Sequence, residues 1–179
     1  DELESRLSPI IHVGYDPAEA ACNQFNPMVD KAGTQVAEFR LFRVYIWCEG
    51  TAYRDVGVKL ESHDQKQSSI LPTNLHIRHD NPPAGTPWKE SFDLNPGFSA
   101  RQYIDVVEGP FWDNKKNILM HVYFADAGLR KLNPLGDGDY TFKLSVQSPD
   151  LIEPLDQSYR VSLHSETWAS FGEILAATP

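Results

Sequence analysis

From Val36 to Cys48 the apolar residues recur at every second position. Phe42, Val44, Ile46 and Cys48 share one face, while Phe39, Leu41, Arg43, Tyr45 and Trp47 share the other. A period of two in a run rich in β-branched and aromatic side chains predicts a strand. Glu49-Gly50-Thr51 then turns the chain, and Val56, Val58 and Leu60 line one face of a second strand. The same alternation returns in Ile118–Phe124, in Tyr140, Phe142, Leu144 and Val146, and in Tyr159, Val161 and Leu163. Shorter strands are expected at 9–14, at Leu71–Ile77 and at Tyr103–Val107, the last ended by a turn at Gly109-Pro110.

Between these runs the chain is punctuated by proline and glycine. Residues 15–34 show no period and read as a long connection with one helical turn near Pro17–Ala21. Asp80–Pro87 is a loop by composition, Asn95-Pro96-Gly97 is a tight turn, and 125–139 is a second long connection. About eight short strands with regular turn signals predict an all-β sandwich or barrel. A parallel α/β fold is disfavoured, because no helical stretch separates the strands. Helix-friendly composition is confined to the ends. Leu3 and Leu7 lie four apart before Pro9, so residues 1–8 read as the last turns of an upstream helix or linker, and the chain as part of a longer protein. The domain then runs from 9 to 167, and 168–179 is expected to be a helical tail.

Composition narrows the function classes. The 179 residues carry 16 Lys and Arg against 25 Asp and Glu, a formal charge of −9. Such a surface repels a phosphate backbone, and no basic patch offsets it, so nucleic acid is excluded as the expected partner. No apolar run approaches the roughly 18 residues of a membrane span, so this segment is not expected to insert, although an upstream anchor is compatible with it. A cytoplasmic or membrane-tethered setting is preferred over secretion. The two cysteines, Cys22 and Cys48, have neither Cys-x-x-Cys spacing nor further ligands, and read first as buried or idle thiols, with a single disulfide between them as the alternative. No cofactor is expected.

Three segments carry a resemblance. Val44–Ala52 followed by Val56–Leu60, then Leu94-Asn95-Pro96-Gly97, then Leu135–Phe142 follow in order the patterns V-x-N-x-G-x-x-x-A, L-x-P-G and G-x-Y. This order resembles bacterial immunoglobulin-like sandwich domains of the cell-adhesion-related and fibronectin type III-like kind. It covers roughly residues 36–165. The chain departs from the pattern at Cys48-Glu49-Gly50 and by the insertion at 110–124. The resemblance implies an immunoglobulin-like sandwich of about seven to nine strands. It implies structural roles for Pro96, Gly97 and Tyr140, the last as a tyrosine corner. It also implies a binding, spacer or sensory module attached to other domains. Such a fold does not itself specify chemistry.

Several clusters are candidates for chemistry. His76, His79 and Asp80 are good metal ligands by type, although residues 76 and 79 point to opposite faces of a strand. Asp137-Gly138-Asp139 has the look of a hard-cation loop, with Asp150, Glu153 and Asp156 as a second acidic loop. It lacks the bidentate Glu of a calcium site and reads first as a turn. No Gly-x-Ser-x-Gly elbow, phosphate loop or dinucleotide fingerprint is present. Ser68, Ser69 and Ser91 lie in polar stretches, pairing Cys48 with His121 or His164 has no support in spacing, and Lys115-Lys116 reads as a solvated turn.

Four tryptophans, Trp47, Trp88, Trp112 and Trp168, are large anchors for a chain of this size. Trp88 and Trp112 lie in loop-like stretches, where they read first as plugs for the open ends of the sandwich; if a contact surface exists, it is expected at the Pro110-Phe111-Trp112 tip. The expected function is non-catalytic: a recognition or accessory module that binds a protein partner or a neighbouring domain through loops or a sheet edge. The alternatives are a carbohydrate-binding module using Trp88 and Trp112, and a metal-dependent enzyme using His76, His79 and Asp80.

Overall fold

The computed structural model describes residues 10–62, 72–75, 77, 89–112, 138–163 and 173–176. Within these the chain is an all-β sandwich of two antiparallel sheets, with no α-helix among the described residues. The first sheet holds β1 (Ile10–Gly14), β2 (Asn23–Val29), β3 (Gln35–Glu49) and β7 (Gln102–Trp112). The second holds β4 (Tyr53–Ser62), β5 (Thr73–Asn74), β6 (Ser91–Leu94), β8 (Gly138–Gln147), β9 (Leu155–Leu163) and β10 (Glu173–Ala176).

β3 is the spine of the first sheet. One edge pairs with β2 over its first half and with β1 over its last five residues, while the other edge pairs with β7 from Ala37 to Ile46. β4 plays the same part in the second sheet. β8 lies on one side of it, and β5 and β6 share the other. β9 and β10 extend the sheet beyond β8.

The alternation read from the sequence is the alternation that is buried. Phe42, Val44, Ile46 and Cys48 of β3 face Val56, Val58 and Leu60 of β4 and Phe142, Leu144 and Val146 of β8 in one core. Each of these side chains contributes about 1.5–3 kcal/mol through the area it removes from water. Tyr140 is buried in the same core. Where β3 ends and the chain crosses to β4 in the other sheet, Pro96 bridges to Cys48 and the Gly97 N–H donates to the Cys48 carbonyl at 2.8 Å. Gly97 has φ +105°, a conformation that disfavours any side chain.

Three expectations are corrected. The connection at 15–34 contains β2, whose Pro27 sits opposite Glu38; proline is tolerated because β2 pairs only with β3 among the described strands. The turn expected at Gly109-Pro110 is strand, since β7 continues to Trp112 and Pro110 lies opposite Phe39. Phe111 and Trp112 therefore lie in a paired strand and not on a loop tip. The tail does not form a helix at 173–176, where the backbone pairs with Tyr159–Ser162 of β9. Intrinsic helix preference over four residues is a fraction of a kcal/mol each, and a ready sheet edge outweighs it. The leader at 1–8 and the strand expected at 118–124 lie outside the described residues.

The outward face of β3 is also buried near its middle. Arg43 Nε donates to Asp105 Oδ1 at 2.5 Å, with the two side chains only 6% and 10% exposed. Arg43 Nη1 also donates to the Ala21 carbonyl at 3.2 Å and to Gln24 Oε1 at 2.8 Å. A bulge makes the pairing possible. Phe42 opposes Val107 while Arg43 opposes Asp105, so Val106 is the extra residue that sets the ions directly across from each other. Removing one partner leaves a desolvated charge. Asp105→Ala should therefore lose about 3–5 kcal/mol, whereas the double change Arg43→Met with Asp105→Leu should recover most of it. Urea unfolding of the three proteins decides this, and equal losses in single and double variants would show that the ion pair is not the source.

Candidate functional sites on the two outer faces

Most of the residues singled out from the sequence do not form a site among the described residues. His76, His79, Asp80, Trp88 and Asp137 lie outside them, as do Ser68, Ser69, Lys115, Lys116, His121, His164 and Trp168. Asp139 and Asp150 are drawn into ion pairs, with Arg160 at 3.1 Å and with Arg54 at 2.8 Å. Asp156 pairs with Lys143 at 2.7 Å. No group of three or more His, Cys, Asp or Glu able to hold a metal occurs among the described residues.

Cys22 and Cys48 are both free and buried. Burial pushes the Cys22 thiol up to about 11 and raises that of Cys48. A thiol near 11 is ionised to about one part in a thousand at pH 8, which makes it a poor nucleophile. Iodoacetamide at pH 8 should leave both cysteines unmodified in the folded protein and label both in denaturant; mass spectrometry reads the result, and rapid native labelling of Cys22 would contradict it.

Where β1 pairs with β3, the outer face of the first sheet is aromatic. Inward Ile11 places Ile10, His12 and Gly14 of β1 outward, beside Trp47 and Tyr45 of β3. His12 stacks on Trp47 with ring centroids 4.2 Å apart, and its Nε2 lies 3.1 Å from Glu49 Oε1. Phe98, from the short 3₁₀ turn before β7, meets Tyr45 and Trp47 edge-on at 5.6 Å. Gly14 is required for the close approach: a Cβ there would fall 2.5 Å from the Tyr45 ring. Phe98 is 47% exposed and Ile10 49%, so this cluster remains open to solvent.

One edge of the cluster is held by charge. The Arg101 guanidinium lies 4.3 Å from the Phe98 ring centre and donates to Glu19 Oε1 at 2.7 Å and to the Tyr103 hydroxyl at 2.8 Å. The Tyr103 hydroxyl donates in turn to Glu19 Oε1. Glu19 comes from a turn in which Asp16 Oδ1 accepts the Ala18 N–H at 2.8 Å. Hydrogen bonds from Tyr103, then from Arg101, hold the Glu19 carboxyl below the usual range. A carboxyl depressed on folding adds stability above its unfolded value, about 4.3, and loses it as pH falls through the folded value. Wild type should therefore be more stable than Glu19→Gln at pH 7, and the gap should close below about pH 4. Denaturant midpoints across pH 7 to 3 test this, and a gap independent of pH would remove the assignment.

The outer face of the second sheet is hollow. Val56, Val58 and Leu60 point inward, so Asp55, Gly57 and Lys59 share the outer face. Gly57 is flanked by Ser91 of β6 and Gln147 of β8, and Lys59 by Asn74 of β5 and Ser145 of β8. Beside Gly57 opens a cleft of about 440 Å³ lined mostly by residues of polar type. One wall is the 148–150 turn, fixed to β4: Ser148 Oγ donates to the Arg54 carbonyl at 2.7 Å, and Asp150 Oδ2 accepts the Arg54 N–H at 2.8 Å. The sequence reading missed this cleft, and also missed His12, Phe98 and Arg101.

Comparison with known proteins finds no family model, no curated protein and no solved structure that matches this chain.

Proposed function

We propose that this chain is a non-catalytic recognition module whose first sheet docks a protein partner through the His12–Trp47–Phe98 cluster. The observation that carries the reading is the packing of that cluster. Its rings are fixed by stacking and edge contacts before any partner arrives, while Phe98 and Ile10 stay exposed. Tryptophan, tyrosine and arginine dominate the energetics of protein interfaces, and here Trp47, Tyr45 and Arg101 lie together. Rings already held in place lose little freedom on docking, so more of the contact energy appears as affinity.

An immunoglobulin-like kinship belongs to the same proposal. Its support is the strand pairing. β3 lies between β1 and β7, as strand B lies between A and E, while β4, β8 and β9 follow one another as C, F and G do. In such a sandwich the interior is filled, so binding falls to outer faces, edges and loops.

The test is position-specific photocrosslinking in the source cells. A benzoylphenylalanine at position 98 should give a discrete adduct that the same probe at Ile152 does not. With the captured partner in hand, Phe98→Ala and Trp47→Ala should each weaken binding by at least 2 kcal/mol, about 30-fold. Phe98→Ala should cost only about 1–2 kcal/mol of stability, from the half of that side chain packed on Tyr45 and Trp47, and leave the protein folded. Absence of an adduct specific to position 98, or an affinity indifferent to both substitutions, would overturn the proposal.

A further inference from the structure

We propose that the cleft on the outer face of the second sheet binds a neutral, polyhydroxylated ligand, a saccharide residue. The inference rests on the cleft beside Gly57 and on the chemistry of its lining. It is independent of the aromatic face.

A glycine in the interior of a strand weakens the strand, and it persists where a bulge, another backbone or a ligand needs the space. Gly57 has no positive φ, so its backbone does not demand glycine. A Cβ at 57 would meet only the Glu90 carbonyl, at an ordinary 3.4 Å, so packing does not demand it either. The bulge lies two residues earlier: Tyr53 opposes Leu94 while Val56 opposes Phe92, and Asp55 there has φ +46°. That bulge puts Asp55 on the cleft rim, its N–H donating to Asp93 Oδ1 at 3.2 Å. Gly57 is one of the residues lining the cleft, and a side chain there would take up part of its space. Its volume, about 440 Å³, falls in the ordinary range for small-molecule sites, about 300–1,000 Å³.

The lining selects the ligand class. Asp55 and Glu90 supply acceptors, and Lys59, Asn74 and Gln147 supply donors. Asn74 Nδ2 donates to Glu90 Oε2 at 2.7 Å, which fixes both groups. A bare cation at Gly57 would meet the Lys59 ammonium, and an anion would meet two carboxylates. A hydroxyl both donates and accepts, so a ring bearing several hydroxyls satisfies both sets at once. It also carries no charge to desolvate.

The test is a titration of the full chain, followed by amide chemical shifts. The probes are glucose, galactose, mannose, N-acetylglucosamine and their β-linked disaccharides, with calcium chloride and inorganic phosphate as controls. At least one saccharide should give saturable shifts at Gly57, Lys59, Ser91 and Gln147. Gly57→Val fills the hollow with a strand-favouring residue, so it should fold with an equal or higher melting temperature and bind at least tenfold more weakly. Lys59→Met, on the solvent side of the strand, should also weaken binding at least threefold. Phe98→Ala should leave saccharide binding unchanged, which separates this proposal from the protein-docking one. The proposal is overturned if no saccharide shifts the cleft amides, if folded Gly57→Val binds as wild type does, or if calcium or phosphate alone perturbs the cleft.

Discussion

Burial of β3 on both of its faces is the constraint around which the rest of the molecule is arranged. A strand of a two-sheet sandwich normally needs one apolar face. Here Phe42, Val44, Ile46 and Cys48 face the core, and Leu41 and Arg43 on the opposite side are buried as well. A buried guanidinium is tolerable only if its donors are used and its charge is answered. Asp105, the Ala21 carbonyl and Gln24 do so, and each comes from a different strand or turn. The requirement reaches far along the chain. It calls for a bulge in β7 to bring Asp105 opposite, and for the 16–22 turn to lie across the sheet. That turn in turn delivers Glu19 to Arg101 and Tyr103. The charged edge of the aromatic cluster is thus tied to the same strand that carries the core.

The legible parts of the fold were those with a regular apolar alternation. β3, β4, β8 and β9 each alternate over several residues, and a slip of one position would reverse every side chain, so their sequences specify them strongly. β2 was not legible, because Asn23, Gln24, Asn26 and Pro27 carry no apolar period; its place is set by the free edge of β3. The end of β7 was hidden by Gly109-Pro110, a turn signal that an edge position tolerates. At 173–176 a helix-friendly composition lost to the open side of β9. In each case the deciding partner lay far away in sequence, where a local pattern carries no information.

The candidate sites were less legible for a related reason. Attention falls on loops when proline and glycine mark them and when aromatics stand beside them, which is how Trp88, Phe111 and Trp112 were singled out. The surfaces that the fold assembles lie instead on sheet faces. Trp47 and Tyr45 were already visible as outward positions of β3, but His12 and Phe98 reach them from segments about 35 and 50 residues away. The cleft draws one or two polar residues from each of four strands, none of them unusual alone. Its single local signal was Gly57 between Val56 and Val58, where a strand pattern is interrupted by the residue least suited to a strand.

A filled sandwich divides its sequence by parity. Inward positions are committed to packing, where a lost methylene group costs roughly a kcal/mol and little can vary. Outward positions are free of that demand, so unusual residues among them need a separate explanation. Where β1 meets β3 the outward set is large, aromatic and already locked together, which suits a broad and relatively flat surface such as another protein. On the second sheet the outward set is small and polar around a missing side chain, which suits a compact ligand rich in hydrogen-bonding groups. The two faces share one core but no side chain, since no residue of a strand reaches both sides of its sheet. Either face can therefore be filled or emptied by substitution while the other, and the interior between them, keeps its geometry.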